Sequence, residues 1–100
     1  MKTGKESKMK ESRKLPRPFK LHWGGGMIVE EISIQCEYHE PCIQLLEFEE
    51  GYEELRFCYY DLEGRFQRGP MMISPEEMKR LSKKLKDAPR IKKILASFVA

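Results

Sequence analysis

The sequence predicts an α+β domain: four antiparallel strands followed by a C-terminal helix, with a second short helix after it. Three observations carry this. Apolar residues alternate with polar ones from Met27 onward, the periodicity of half-buried strands. Turn signals separate the runs: "HEP", "GYEE" and "LEG". A strong helix start then opens at Ser74.

The elements follow in order. Residues 1–14, "MKTGKESKMKESRK", are Lys-rich and lack apolar periodicity, the composition of a disordered arm. "LPRPF" favours an extended chain, and "HWGGGM" reads as a flexible joint, so residues 1–26 are expected to lie outside the folded domain, 27–100. In "MIVEEISIQCEY", Ile28, Ile32, Ile34 and Cys36 fall on one strand face and Glu31, Ser33, Gln35 and Glu37 on the other. Glu30 breaks the pattern on the apolar side. "CIQLLEFEE" is a second strand. "LRFCYYDL" is a third, with Leu55, Phe57 and Tyr59 on one face and Arg56, Cys58 and Tyr60 on the other. Gly64 turns the chain at positive φ into "RFQRGPMMI", a fourth strand kinked at Gly69-Pro70. Ser74, Pro75 and Glu77 spell a capping box with proline at the first helical position. Met78, Leu81 and Leu85 form one helical stripe, and Ile91, Ile94, Leu95 and Phe98 a second.

Composition narrows the function classes. A chain of 100 residues holds one core. No apolar run reaches the roughly 18–20 residues of a membrane span. Three cysteines without framework spacing point to an intracellular protein with reduced thiols, in cytoplasm, nucleoid or nucleus. A basic tail and a basic C-terminal third flank an acidic middle, and such asymmetry suits an anionic partner or a self-complementary assembly.

Nucleophilic catalysis needs an oriented base beside a nucleophile, and neither His22 nor His39 has such a neighbour. The expectation is therefore a non-enzymatic protein without a cofactor. Cys36, His39 and Cys42 lie three apart, and Cys58 is the candidate fourth ligand for tetrahedral zinc. In the expected hairpin Cys58 pairs near Leu45, roughly 10 Å along the strand from Cys42. These cysteines are accordingly expected as small apolar strand residues, with no metal. A zinc-stabilised hairpin is the third-ranked reading.

The most informative grouping is Arg56, Tyr59, Tyr60, Arg65, Phe66 and Arg68, rings interleaved with cations on two adjacent strands. Proteins that hold single-stranded nucleic acid combine these two ingredients. Arg56, Arg65 and Arg68 are expected to contact phosphate, and Tyr59 and Phe66 to stack on bases.

The segment "LRFCYYDLEGRFQRGPMMISPEEMKRLSKKL" resembles the C-terminal core of the positive-cofactor-four family of single-stranded-DNA-binding transcriptional coactivators and regulators. The resemblance rests on Arg56, Tyr59, Asp61, Glu63, Gly64, Gly69, Ile73 and Ser74. It implies a homodimer whose curved ribbons form a nucleic-acid channel, with Arg56 on phosphate and Tyr59 as the stacking ring. It also implies transcription regulation and contact with the transcription machinery, without a membrane. Met71 stands where a lysine of the family faces nucleic acid. A protein–protein assembly module, with an acidic sheet and a basic helix, is the alternative. The direction in which Glu30, Glu47 and Glu49 point separates the two.

Overall fold

A computed structural model describes residues 13–100; residues 1–12 of the expected disordered arm 1–14 lie outside them. The domain is α+β, built on a five-stranded antiparallel sheet. The strands are β1 (Arg17–Leu21), β2 (Gly24–Ser33), β3 (Glu40–Phe48), β4 (Glu53–Tyr60) and β5 (Phe66–Gln67). They pair strictly in chain order. Two helices follow, α1 (Pro75–Ser82) and α2 (Pro89–Ala96), joined by a 3-10 turn over Lys83–Asp87.

The fifth strand comes from the segment expected as arm and joint. Gly24, Gly25 and Gly26 are strand residues, paired with Leu21, Lys20 and Phe19 of β1. At Gly25 and Gly26 the role is close approach rather than flexibility. A Cβ at Gly26 would sit 1.9 Å from the Glu47 carbonyl oxygen, and one at Gly25 3.0 Å from that of Phe19. The glycines let β2 pass tightly between its neighbours.

The last strand is shorter than expected. Phe66 and Gln67 pair with Tyr60 and Tyr59, and the ladder then stops ahead of Gly69-Pro70. Proline has no N–H to extend the ladder, so the chain leaves the sheet there. The turn before β5 is as expected. Gly64 has φ 86°, and the Asp61 carboxylate accepts the backbone N–H of Glu63 and of Arg65, both at 2.9 Å.

Each face of the sheet has its own packing. On one, Ile32, Ile34, Ile43 and Leu45 pack against Leu81, Ala88 and Ile91, with Val29, Leu55, Leu85, Ile94 and Leu95 at the margin. The capping box forms as expected: Glu77 N–H donates to Ser74 Oγ at 3.1 Å and Ser74 N–H to Glu77 Oε1 at 3.0 Å. Pro89 begins α2, but Ala88 ahead of it offers no capping side chain. Glu30 supplies one from the sheet, accepting from Ile91 N–H at 2.9 Å and Arg90 N–H at 3.2 Å. The acid that interrupts the apolar pattern of β2 is thus a helix cap delivered by tertiary contact. Phe98, expected in the second stripe, lies beyond α2 and is exposed.

The opposite face is not left open. Between Ile28 and Glu30 the β2–β3 register slips at a bulge, so Ile28 stands opposite Leu46 while Glu30 stands opposite Leu45. That slip moves Ile28 off the helix-covered face on which alternation placed it with Ile32 and Ile34. Ile28 packs instead with Phe19, Leu46 and Phe48. In a flat sheet β1 and β4 would stand three strand spacings apart, about 14 Å. Here the Arg17 guanidinium on β1 donates to the Tyr60 hydroxyl on β4 at 3.2 Å. The sheet therefore curls, and β1 with the residues just before it closes over the concave side.

Candidate nucleic-acid interface

Strand alternation divides the predicted site between two surfaces. Arg56, Cys58 and Tyr60 point to the concave side, and Leu55, Phe57 and Tyr59 to the helix side, as β4 was expected to sort them. Tyr59 meets His39 edge-on at 5.7 Å, and His39 Nε2 donates to the Met72 carbonyl at 2.9 Å. The structure does not bring Tyr59 to the surface that carries Arg56.

Phe66 does join Arg56. Pairing of Tyr60 with Phe66 places both rings on one face, edge-to-face at 5.6 Å. The Arg56 guanidinium lies 4.8 Å from the centroid of the Phe66 ring and 5.9 Å from that of Phe19. Its Nε donates to Gln44 Oε1 at 2.8 Å, which leaves the terminal nitrogens beside an exposed ring. Arg65 is exposed and tied back to Asp61 at 2.9 Å and Glu63 at 3.6 Å. It acts first on its own turn, where its amide and guanidinium hold the Asp61 carboxyl below the ordinary carboxylate range. Arg68 follows β5 and is exposed.

A polar network that the sequence did not announce fills the rest of the concave side. Glu31 is its centre. Its carboxylate accepts from Arg17 at 3.0 and 2.9 Å, from Arg13 at 3.0 Å and from Gln44 at 2.7 Å. Burial pushes this carboxyl up. The hydrogen bonds from Arg17 and Gln44 and the charges of Arg13 and Arg17 outweigh burial and hold it below its ordinary value. Gln44 is fully buried and also donates to Tyr60 at 3.0 Å. The Arg13 guanidinium stands over the Tyr60 ring, 4.0 Å from its centroid. It also reaches Glu40 at 2.8 Å, and Glu40 in turn accepts from Ser33 at 2.8 Å. Three guanidiniums thus face two carboxylates across the concave side.

Arg13, Arg17, Glu31 and Gln44 escaped the sequence reading because the arm was expected to be disordered. One signal was legible: Gln44 interrupts the apolar run "CIQLLEF" at a position that shares a face with Cys42 and Leu46. A buried amide in a strand demands partners.

The acids used to separate the two functional readings divide clearly. Glu30 caps α2, and Glu47 and Glu53 bind Arg90 of that helix at 2.8 and 3.0 Å. Glu30 and Glu47, with Glu53 beside them, sit on the helix side, away from Arg56, whereas Glu31 and Glu40 lie on the concave side, each bound to arginine. Glu49 lies in the β3–β4 turn and is exposed.

The cysteines are also placed differently. Cys58 stands directly opposite Cys42 in the β3–β4 register, and Leu45 opposite Leu55. The register is therefore three residues from the expected one, because the turn is the tight Phe48–Tyr52 loop with Gly51 at φ 101°. Cys36 packs on the helix side and Cys42 on the concave side, so Cys36, His39 and Cys42 do not converge. Among the described residues no three His, Cys, Asp or Glu side chains gather as metal ligands. No helix among them is long and apolar enough to cross a membrane. No protein-family model matches this chain, and no curated protein or solved structure matches it either.

Proposed function

We propose that the protein binds single-stranded nucleic acid without catalysing a reaction, using the concave rim formed by Arg56, Phe66 and Arg68. The observation that carries this reading is the seating of the Arg56 guanidinium over the exposed Phe66 ring, on the face from which Glu30, Glu47 and Glu53 are turned away. A base can stack on Phe66 while its phosphates meet Arg56 and Arg68. Arg13 and Arg17 balance the two acids they bind, Glu31 and Glu40, so those carboxylates leave no net negative charge behind Arg56. Tyr59 has no part in this surface, which separates the proposal from what the family resemblance implies. A role in transcription regulation belongs to the same proposal, as does a homodimer. Its support is exposed apolar surface at Phe57, Met72 and Met78.

The test is a fluorescence-anisotropy titration of the full chain with single-stranded and duplex oligonucleotides at two salt concentrations. Binding should favour the single strand and weaken at higher salt, as counterion release requires. Phe66→Ala should weaken it by the value of one stacked base, about 1–3 kcal/mol, and Tyr59→Ala should leave it unchanged. Equal affinity of wild type and an Arg56→Ala, Phe66→Ala double variant would remove this surface from consideration.

A second reading is favoured by the far end of the sheet. There Trp23 and Tyr52 stack on either side of Phe48, at 5.5 and 4.4 Å, and both are exposed. Glu50 and Glu54 lie close enough to push the Tyr52 hydroxyl up, after the effect of desolvation. An acidic, aromatic end suits a basic protein partner rather than a polyanion.

A further inference from the structure

We propose that Cys42 and Cys58 form a reversible redox pair, a modification site that takes hydrogen peroxide and closes a disulfide between β3 and β4. The inference does not depend on the nucleic-acid reading. It begins from register. The two residues face each other directly across the antiparallel ladder and form one small cluster with Tyr60. Directly opposed Cα atoms stand about 4.5–5.5 Å apart, within the roughly 4.4–6.8 Å that a disulfide spans. Closure therefore needs side-chain rotation and little movement of the backbone.

The surroundings assign different roles to the two thiols. Cys58 is 5 % exposed and Cys42 fully enclosed. β5 ends opposite Tyr59, so β4 is the edge of the sheet at Cys58, and Cys58 is the less buried of the two thiols. The neighbouring Cys42 thiol and the charge of Arg56 hold the Cys58 thiol down, against the effect of burial. Cys42 is pushed up by the Cys58 thiol and by burial. Arg13 Nη2 approaches its sulfur at 3.5 Å. The less buried thiol, held below its ordinary value beside one held above it, is the one to attack, and its enclosed neighbour the one to resolve. Cys36 offers the contrast, since it packs among aliphatic residues on the other face and burial pushes it up.

The chemistry closes without a cofactor. The Cys58 thiol gives up its proton and the thiolate attacks one oxygen of peroxide; the O–O bond breaks, and the leaving hydroxide takes up that proton as water, giving a sulfenic acid at Cys58. The Cys42 sulfur then attacks the Cys58 sulfur, and the S–O bond breaks. The hydroxyl leaves as water with the proton that Cys42 gives up. Two thiols are oxidised to one disulfide, and one peroxide is reduced to two waters.

The test uses the full chain with Cys36→Ala, so that only the proposed pair remains. The reduced folded protein is treated with peroxide, quenched in acid, unfolded and labelled with N-ethylmaleimide, and its intact mass is read. The expected product takes no label and has lost the mass of two hydrogens, and reductant restores both labelling sites. In the full chain carrying Cys42→Ala, Cys58 should accumulate sulfenic acid that dimedone traps, whereas Cys58→Ala should give no adduct at Cys42. Two labels after peroxide, or a disulfide that forms only in urea, would overturn the proposal. A dimedone adduct at Cys42 in place of Cys58 would overturn the assigned roles.

Discussion

Replacing Glu31 by glutamine tests the concave network most directly. The carboxylate is only 9 % exposed, and the guanidiniums of Arg17 and Arg13 on it are 13 % and 17 % exposed. Glutamine keeps the shape and one acceptor oxygen, but it removes the charge and turns an amide N–H₂ toward donors. Breaking a buried ion pair from one side costs about 3–5 kcal/mol, because the partner charge stays behind unpaired. The residual exposure of all three side chains argues for the lower end, about 3 kcal/mol. With a urea m-value of about 1–3 kcal/mol per molar, the midpoint should fall by roughly 1–3 M.

The same variant fixes the pH dependence. Glu31 is held below its ordinary value of 4.5 in the folded protein, so the unfolded chain takes up the proton more readily. The stabilisation from Glu31 is complete above that ordinary value and is lost as pH falls through the lower folded value. The gap between wild type and Glu31→Gln should thus be widest near neutral pH and shrink steadily in acid below pH 4.5. Urea unfolding followed by Trp23 fluorescence, at a series of pH values, reads both quantities. A loss below about 1 kcal/mol, the size of an exposed pair, would refute the reasoning. So would a gap that does not change with pH.

Four further outcomes are expected. Glu30→Ala should cost about 0.5–2 kcal/mol, the value of a helix cap, and hydrogen exchange should locate the loss at the amides of Arg90 and Ile91. Gly26→Ala should destabilise strongly, on the order of 3 kcal/mol or more, since its Cβ meets backbone that cannot move aside. Gly24→Ala, whose Cβ would rest 3.8 Å from the Phe48 ring, should change the urea midpoint little. Light scattering coupled to size exclusion should give twice the monomer mass at micromolar concentration, and a monomer would end the homodimer proposal.

Local chemistry made much of the fold legible. The α+β class, the strands that become β3 and β4, the faces of β4, the turn at Gly64 and the capping box at Ser74 all depend on contacts within a few residues. Period-two alternation and capping preferences report such contacts directly. The candidate site was half legible for the same reason. Arg56 and Phe66 sit on adjacent strands and could be seen together. Tyr59, one residue from Tyr60, had to face the other way.

What the sequence by itself determined is the type of the main elements after Met27 and the face each side chain takes along β4. Only the tertiary structure decided what those faces meet. The bulge at β2 moved Ile28 from one side of the sheet to the other, and a three-residue difference in register set Cys58 against Cys42. The curl of the sheet carried Arg13 and Arg17 onto Glu31 and Tyr60. Each is a contact between residues 14 or more positions apart, which leaves no periodic trace along the chain. The arm looked unable to fold because its lysines and prolines bury little by themselves. Its two arginines are ordered by a carboxylate and a tyrosine ring that lie across the curled sheet from them.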